Sequence, residues 1–311
     1  MSGSTAVVHL VRRGNAAQLF EAFMSSYERE AAGHDHELVL LLKGFESPAE
    51  LEPYRRRAGQ LVGREVQVDD SGGDLAAYLA AARQLPHDRL LLLNSHATIA
   101  SPDWLGLLSG GLDDPGTGMV GATGSWASNR SLLLWRLGLP NGYRTALADR
   151  RDLSATLGSI EGGTTRTRSG RLMTLVYGPV TLAGYPGFPA PHVRTNGFLI
   201  DREVLLSMRF GGLRTKRLAH RFEAGRASFT NQLARRGLTP RVVCCDGRAL
   251  APPDWPDANV FWQGDQRNLL IADNQTRAYD GATAAGRDAL ARLAWGEAAR
   301  RCAAERAAGS A

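Results

Sequence analysis

The sequence predicts an α/β fold with a central, mostly parallel sheet flanked by helices, and three observations predict it. Apolar runs alternate with segments of helical periodicity from Ala6 to Leu93. The runs are continuously apolar, as in strands buried on both faces. The connections between them are short, so parallel neighbours require helical crossovers.

Taken in order, Ala6 to Val11 (AVVHLV) reads as a strand and Gly14-Asn15 as a turn. From Ala16 to Glu28, Phe20, Phe23, Met24 and Tyr27 recur at helical spacing. Glu37 to Leu42 reads as a second buried strand. Ser47-Pro48 begins a helix, with Pro at its first position, expected to run to about Leu61. Glu65 to Val68 is a short third strand, and Asp69-Asp70-Ser71-Gly72-Gly73 a tight polar loop. Asp74 is placed to cap a helix carrying Leu75, Tyr78, Leu79, Ala82 and Leu85 on one face.

The fourth strand, Arg89 to Leu93, contains the run Leu90-Leu91-Leu92-Leu93. Asn94, Ser95 and His96 follow it abruptly, and Ser101-Pro102-Asp103-Trp104 turns into a helix. The apolar run is expected at the sheet centre. Ligands of open α/β sheets sit at the carboxyl ends of strands, so Asn94, Ser95 and His96 are candidate binding residues. The turn after the first strand, Val11-Arg12-Arg13-Gly14-Asn15, is not G-x-G-x-x-G. No G-x-x-x-x-G-K-S/T loop occurs either. A dinucleotide enzyme and a P-loop enzyme are both disfavoured.

Gly118 to Ala122 reads as a further strand, and Gly121 and Gly124 would allow close approach of a ligand or another backbone. Asn129 to Pro191 has no regular reading. Val193 to Ile200 reads as a strand, Arg202 to Met208 and Phe222 to Arg236 as helices, and Leu238 to Cys245 as a closing strand. Asp254 to Ala278 is irregular, anchored by Trp255, Phe261 and Trp262. An Ala- and Arg-rich helix runs from Thr283 to the end. The expected organisation is a domain over 1–250, with halves 1–125 and 126–250, and an extension over 251–311.

At 43% hydrophobic and 22% charged, the composition is that of a globular protein, and no apolar run reaches membrane-span length. The amino terminus lacks the basic and apolar regions of a signal peptide. The three cysteines, Cys244, Cys245 and Cys302, form neither a disulfide framework nor a metal spacing. A cytoplasmic location follows as an expectation.

The net charge of +6 is unevenly distributed. From Arg130 to Arg217 there are thirteen arginines and one lysine against five acids. Guanidinium pairs bidentately with oxyanions, so a phosphorylated ligand or an anionic lipid surface is the kind of partner implied. A solvated basic surface explains the same charge. No helix-turn-helix, zinc finger or aromatic RNA-binding pattern is present, which argues against nucleic acid.

The order of these features resembles the GT-A glycosyltransferases, and is most similar to the inverting family 2 enzymes, over roughly Thr5 to Cys245. Val66 to Asp74 resembles that family's acidic nucleotide-contact region. Asn94-Ser95-His96 and Ser101-Pro102-Asp103-Trp104 stand where the family has a D-x-D motif and a P-x-W helix start. Thr195 to Ile200 resembles its acceptor-side strand. Phe222-Glu223-Ala224-Gly225, with Arg235-Arg236-Gly237 beyond, resembles the helix bearing its catalytic acid.

The resemblance implies a GT-A-like nucleotide-binding sandwich that transfers sugar from a nucleotide diphosphate to a glycan or glycolipid, in bacterial-type polysaccharide synthesis. Glu223 is the implied base. Arg12, Asp69, Asp70, Asn94, Ser95 and His96 are the implied nucleotide contacts. His192, Arg194, Asn196 and Trp126 are candidates for acceptor or phosphate binding. In the family the D-x-D acids hold a divalent cation, magnesium or manganese. Asn94 and His96 replace those carboxylates here, which a hard cation prefers. His96 remains a candidate ligand for a softer metal, and metal independence is the expectation. Peripheral contact with the cytoplasmic face of a membrane and homo-oligomerisation stay open. The alternative is a non-catalytic GT-A-like domain that binds a nucleotide, a sugar or a partner protein.

Overall fold

The computed structural model describes residues 3–143, 178–211 and 216–300. Four strands, β1 (Thr5–Arg12), β2 (Glu37–Lys43), β3 (Val62–Val68) and β4 (Arg89–Leu93), alternate with α1 (Ala17–Arg29), α2 (Pro48–Ala58) and α3 (Asp74–Gln84). β1 pairs in parallel with β2 and β4, and β2 with β3. The crossovers predicted from the short connections are therefore present.

Beyond them come β5 (Thr98–Ile99), α4 (Trp104–Asp113), β6 (Thr117–Gly121), β7 (Gly124–Ser125), α5 (Asn129–Arg136), β8 (His192–Val193), β9 (Gly197–Asp201) and α6 (Arg202–Leu206). α7 (Lys216–Ala224), α8 (Phe229–Ala234), β10 (Thr239–Val243) and β11 (Ala249–Leu250) lead to β12 (Ile271–Ala272), α9 (Asn274–Asp280) and α10 (Ala284–Trp295). The eight-stranded sheet has the order β11-β10-β6-β9-β4-β1-β2-β3. β9 lies antiparallel between β4 and β6, while β6 and β10 are parallel.

β4 is an interior strand, and Leu90 to Leu93 are fully buried. Leu90 and Leu92 belong to the core on one face of the sheet, and Leu91 and Leu93 to the core on the other. Two apolar layers explain why this strand reads as an unbroken run rather than an alternation.

Four local expectations need correction. Val193 to Ile200 is not one strand: Arg194, Thr195 and Asn196 separate β8 from β9. Phe222 to Arg236 is not one helix: α7 ends at Ala224 and α8 starts at Phe229, where Ser228 caps it by accepting from the Asn231 amide. Gly73, not Asp74, precedes α3, and Asp74 is its first residue. Gly121 and Gly124 leave room for protein side chains rather than a ligand, because a Cβ there would collide with Val193 and with Trp255. The stretches Gly162 to Gly170 and Leu172 to Tyr177 lie outside the described residues.

Residues 251–300 pack against the rest of the fold. β12 pairs with β5, and Trp255 and Trp295 are buried in the core beside Trp262. Asp273 and Thr276 form a reciprocal capping box on α9. Among the described residues no helix is long and apolar enough to cross a membrane.

Candidate active site

The carboxyl ends of β1 and β2 carry cations side by side, Arg12 and Lys43, which are register partners. The Lys43 side chain is fully buried. Its Nζ donates to Asp70 Oδ1 at 3.1 Å and to the carbonyl oxygens of Gly72 (2.9 Å) and Ser71 (3.4 Å). This one ammonium holds the acidic loop 69–72 against the sheet. Arg12 lies 3.5 Å from Asp70 and 3.7 Å from Asp74.

The hydrogen bond from Lys43, followed by its charge, holds the Asp70 carboxyl below the usual range. Asp69 is lowered by the hydroxyl and amide of Ser71. Asp74 moves the other way: burial raises it, Glu223 adds to the rise, and Arg12 and Lys43 oppose it.

At the end of β4, Asn94 Oδ1 accepts from the His96 amide at 3.0 Å, and Ser95 Oγ accepts from Asn15 Nδ2 at 2.7 Å. Arg277, on α9, reaches over this turn. It donates to the His96 carbonyl at 3.0 Å and to Thr98 Oγ1 at 3.2 Å. Burial, then the charge of Arg277, lowers the His96 imidazole below its ordinary value, so it stays neutral near pH 7.

This donor set does not suit a divalent metal. The Asn94 oxygen already has a donor, neither residue is a carboxylate, and a guanidinium stands alongside. Among the described residues no group of three or more His, Cys, Asp or Glu side chains is arranged to hold a metal ion.

The residues between β8 and β9 join this turn to Glu223. The Asn94 amide donates to the Asn196 carbonyl at 3.1 Å. The Thr195 amide donates to Glu223 Oε1 at 3.0 Å. Glu223 is the penultimate residue of α7, not a first-turn residue of a helix that starts at Phe222, as the sequence suggested. A carboxylate in a helix's last turn stands at the unfavourable end of the macrodipole, so helix formation alone does not place it there. Gly225 ends the helix, its amide donating to the Arg221 carbonyl at 2.9 Å.

Glu223 lines a cavity of about 190 Å³ with His192, Arg194, His220, Ser125, Asn129 and Trp262 among its walls. His192 is buried, donates Nδ1–H to the Ala190 carbonyl at 2.8 Å, and is pushed down to about 4 by burial. His220 Nδ1 lies 3.1 Å from the Tyr185 hydroxyl. The Tyr78 hydroxyl is buried without a hydrogen-bond partner, and burial, Asp74 and Glu223 all raise it well above its ordinary value. Glu223 and Asp74 both act on the buried Tyr78 hydroxyl, which puts the two carboxylates in one electrostatic neighbourhood, while the walls of the cavity itself include none of Asp69, Asp70, Asp74 or Asn94 to His96.

The other sequence candidates fall into place around it. Arg194 borders the cavity, but its guanidinium is engaged by buried Asp273 at 2.7 Å and by Thr123 Oγ1 at 3.2 Å, and it lies 3.9 Å above the Phe261 ring. Asn196 Oδ1 accepts from Thr123 Oγ1 at 2.6 Å, while its Nδ2 is buried without a partner. Trp126 turns toward the carboxyl-terminal segment. Its Nε1 donates to the Pro252 carbonyl at 2.9 Å, and its ring meets Trp295 edge-on.

Lys43, His220, Arg277 and Asp273 were not found by the sequence reading. Lys43 had a signal, a single cation ending an apolar strand beside Arg12. Arg277 and Asp273 had none, because their partners are far away in the chain.

No family model matches the chain, and no curated protein matches it. Among solved structures it is similar to glucosyl-3-phosphoglycerate synthase from Mycobacterium tuberculosis in complex with Mn2+, UDP-Glc and glycerol 3-phosphate. That alignment has 14% identity and a TM-score of 0.38, over 77% of this chain and 69% of that one. It is also similar to the mannosyltransferase PcManGT from Pyrobaculum calidifontis in complex with GDP-Man and Mn2+, at 17% identity and a TM-score of 0.32, over 47% of this chain and 53% of that one. A third, GalNAc-T7 with UDP, GalNAc and Mn2+, aligns at 16% identity and a TM-score of 0.31, over 38% of this chain and only 22% of that one. Likenesses of this size carry no residue role, ligand or reaction across to this chain.

Proposed function

We propose that the chain is a nucleotide-sugar-dependent glycosyltransferase, transferring sugar with inversion to a hydroxyl of a glycan or glycolipid. The observation that carries this reading is the seat of Glu223. It is a carboxylate at the wrong end of a helix, anchored through one oxygen by the Thr195 amide and facing a cavity that His192, Arg194 and His220 also line. Its match to the family's catalytic acid in the Phe222–Gly225 motif supports the same reading.

In the proposed step, Glu223 takes the proton of the acceptor hydroxyl as that oxygen attacks the anomeric carbon. The bond from that carbon to the diphosphate breaks, and the nucleotide leaves with the electron pair. Donor base and ribose lie toward Asp69, Asp70 and Asp74. The diphosphate lies toward Arg12, Ser95, His96 and Arg277, whose donors offset its growing charge. A pathway role in polysaccharide synthesis at the cytoplasmic face of a membrane belongs to this reading.

Two results are expected. Asp70→Ala should weaken nucleotide binding about tenfold by calorimetry, the scale of one charge-assisted hydrogen bond. Unchanged affinity would remove the loop from the site. Transfer should also persist in excess chelator, because Asn94 and His96 offer no carboxylate and the Arg277 guanidinium bonds to the same turn. Activity abolished by chelator and restored by magnesium or manganese would contradict this.

The spent Asn94 oxygen also favours a second reading, a nucleotide- or sugar-binding domain without turnover. A thermal-shift screen of nucleotides and nucleotide sugars, followed by turnover assays on the binders, separates the two. Binding with transfer supports the first reading, and binding without transfer supports the second.

A further inference from the structure

A second cavity, of about 490 Å³, is lined by Arg209, Ala227, Gln232, Arg235 and Arg236. It lies on the far side of α8 from the Glu223 cleft. Thr230 of the same helix accepts the Val193 amide beside His192, whereas Gln232 turns to the arginine wall. We propose that this cavity binds a phosphate-bearing ligand through Arg209, Arg235 and Arg236.

The first argument is uncompensated charge. Among the described residues no carboxylate lies within ion-pair distance of any of the three guanidinium groups, nor of neighbouring Arg226. Their protein partners are neutral. Arg236 donates to Ser207 Oγ at 2.8 Å and to the Ser207 carbonyl at 2.9 Å. Arg235 donates to the Arg226 carbonyl at 3.3 Å, and Arg226 to the Ala183 carbonyl at 3.1 Å. The Arg209 guanidinium donates to no described residue. Elsewhere in this chain arginines are commonly paired with acids, as Arg55 is with Glu65 and Arg57 with Glu21 and Glu28. Several guanidinium groups converging without counter-charge repel one another, and an oxyanion relieves that repulsion while filling their forked donors.

The second argument is preorganisation. Gln232 is buried, and its amide ties both walls together. Its oxygen accepts from the Arg209 amide at 2.9 Å, and its nitrogen donates to the Arg209 carbonyl at 3.0 Å and the Ala227 carbonyl at 2.9 Å. The backbone bearing Arg209 is thus fixed against α8, and Ser207 fixes the direction of Arg236. The three arginines are exposed and border one cavity together. A phosphate monoester and an anionic lipid headgroup share the chemistry that this wall recognises.

The test is calorimetric titration of the full chain at constant ionic strength with inorganic phosphate. In parallel, co-sedimentation is measured with vesicles of phosphatidylglycerol and phosphatidylcholine, and with phosphatidylcholine alone. Arg209→Gln should weaken the response about tenfold, and Arg209→Gln with Arg235→Gln further, with unchanged melting temperature, since Arg209 has no described side-chain partner to lose. Arg56→Gln, on the exposed face of α2 and outside both cavities, should leave it unchanged. Saturable phosphate binding lost in the Arg209 variant assigns a soluble ligand. Binding to the phosphatidylglycerol vesicles alone, lost in the same variant, assigns a headgroup. Absence of binding to either probe, or equal binding by wild type and the Arg209 variant, overturns the proposal. Because the site is independent of Glu223, this outcome is separate from that of the transfer assays.

Discussion

Replacing Glu223 with glutamine is expected to reduce sugar transfer about 10²–10⁴-fold, the usual cost of losing a general base, with fold and donor affinity close to wild type. Glutamine keeps the shape, and its carbonyl oxygen can still accept the Thr195 amide, so the loop between β8 and β9 retains its anchor. What disappears is the site for the acceptor proton. Nucleotide release measured with and without acceptor checks this. A folded Glu223→Gln protein that turns over at the wild-type rate would assign the residue to structure.

The largest stability loss is expected at Arg194. Arg194→Met should destabilise the protein by about 3–5 kcal/mol, the typical cost of removing one partner from a buried ion pair. Asp273, only 1% exposed, would remain charged and uncompensated. Burial alone would raise the Asp273 carboxyl. The Arg194 charge, with the Thr276 amide, outweighs it and leaves the group below its ordinary value.

A carboxyl lowered on folding adds stability above its unfolded value, about 3.9, and loses it as pH falls through the folded value. The difference between wild type and Arg194→Met should therefore be full near neutrality and shrink in acid below that value. Asp273→Asn in the Arg194→Met background should recover part of the loss, since asparagine can still cap α9. Urea unfolding at several pH values measures all three. A loss that is independent of pH would mean that Arg194 acts through its packing on Phe261 rather than through charge.

The parallel half of the fold was legible because its signals are local. Leu90 to Leu93 is apolar at every position, as two-sided burial demands, and each crossover helix repeats within a dozen residues. The site was partly legible. Glu223 and His192 line one cavity, and Asn94 is tied to it through Asn196 and Thr195, but the position of Glu223 in its helix was misread. The apolar spacing of Phe222, Phe229 and Leu233 continues across Gly225 to Ser228, and hides a break that Ser228 announces only as a cap. The Asn129 to Arg136 helix was obscured by the irregular sequence after it. Long-range pairing left no trace at all: Arg194 and Asp273 are 79 residues apart, and Arg277 reaches His96 across 181.

The sheet order has a consequence for synthesis on the ribosome. β1 to β4 can form as they emerge, since each partner is already made or follows after one helix. β6 cannot join them, because its neighbour in the sheet is β9, which is translated some seventy residues later. Loop closure of that length is slow relative to local pairing. The nascent chain therefore exposes the unpaired backbone N–H and C=O groups on the β9 edge of β4 until β9 is made. The buried tryptophans at 255, 262 and 295, all translated after the sheet strands, then complete the interior. An arrest sequence placed far enough beyond residue 250 to bring β11 out of the ribosome, with residues 255 to 295 still enclosed, would hold the protein with a finished sheet and an open core, a state that a chaperone should recognise and the released chain should not show.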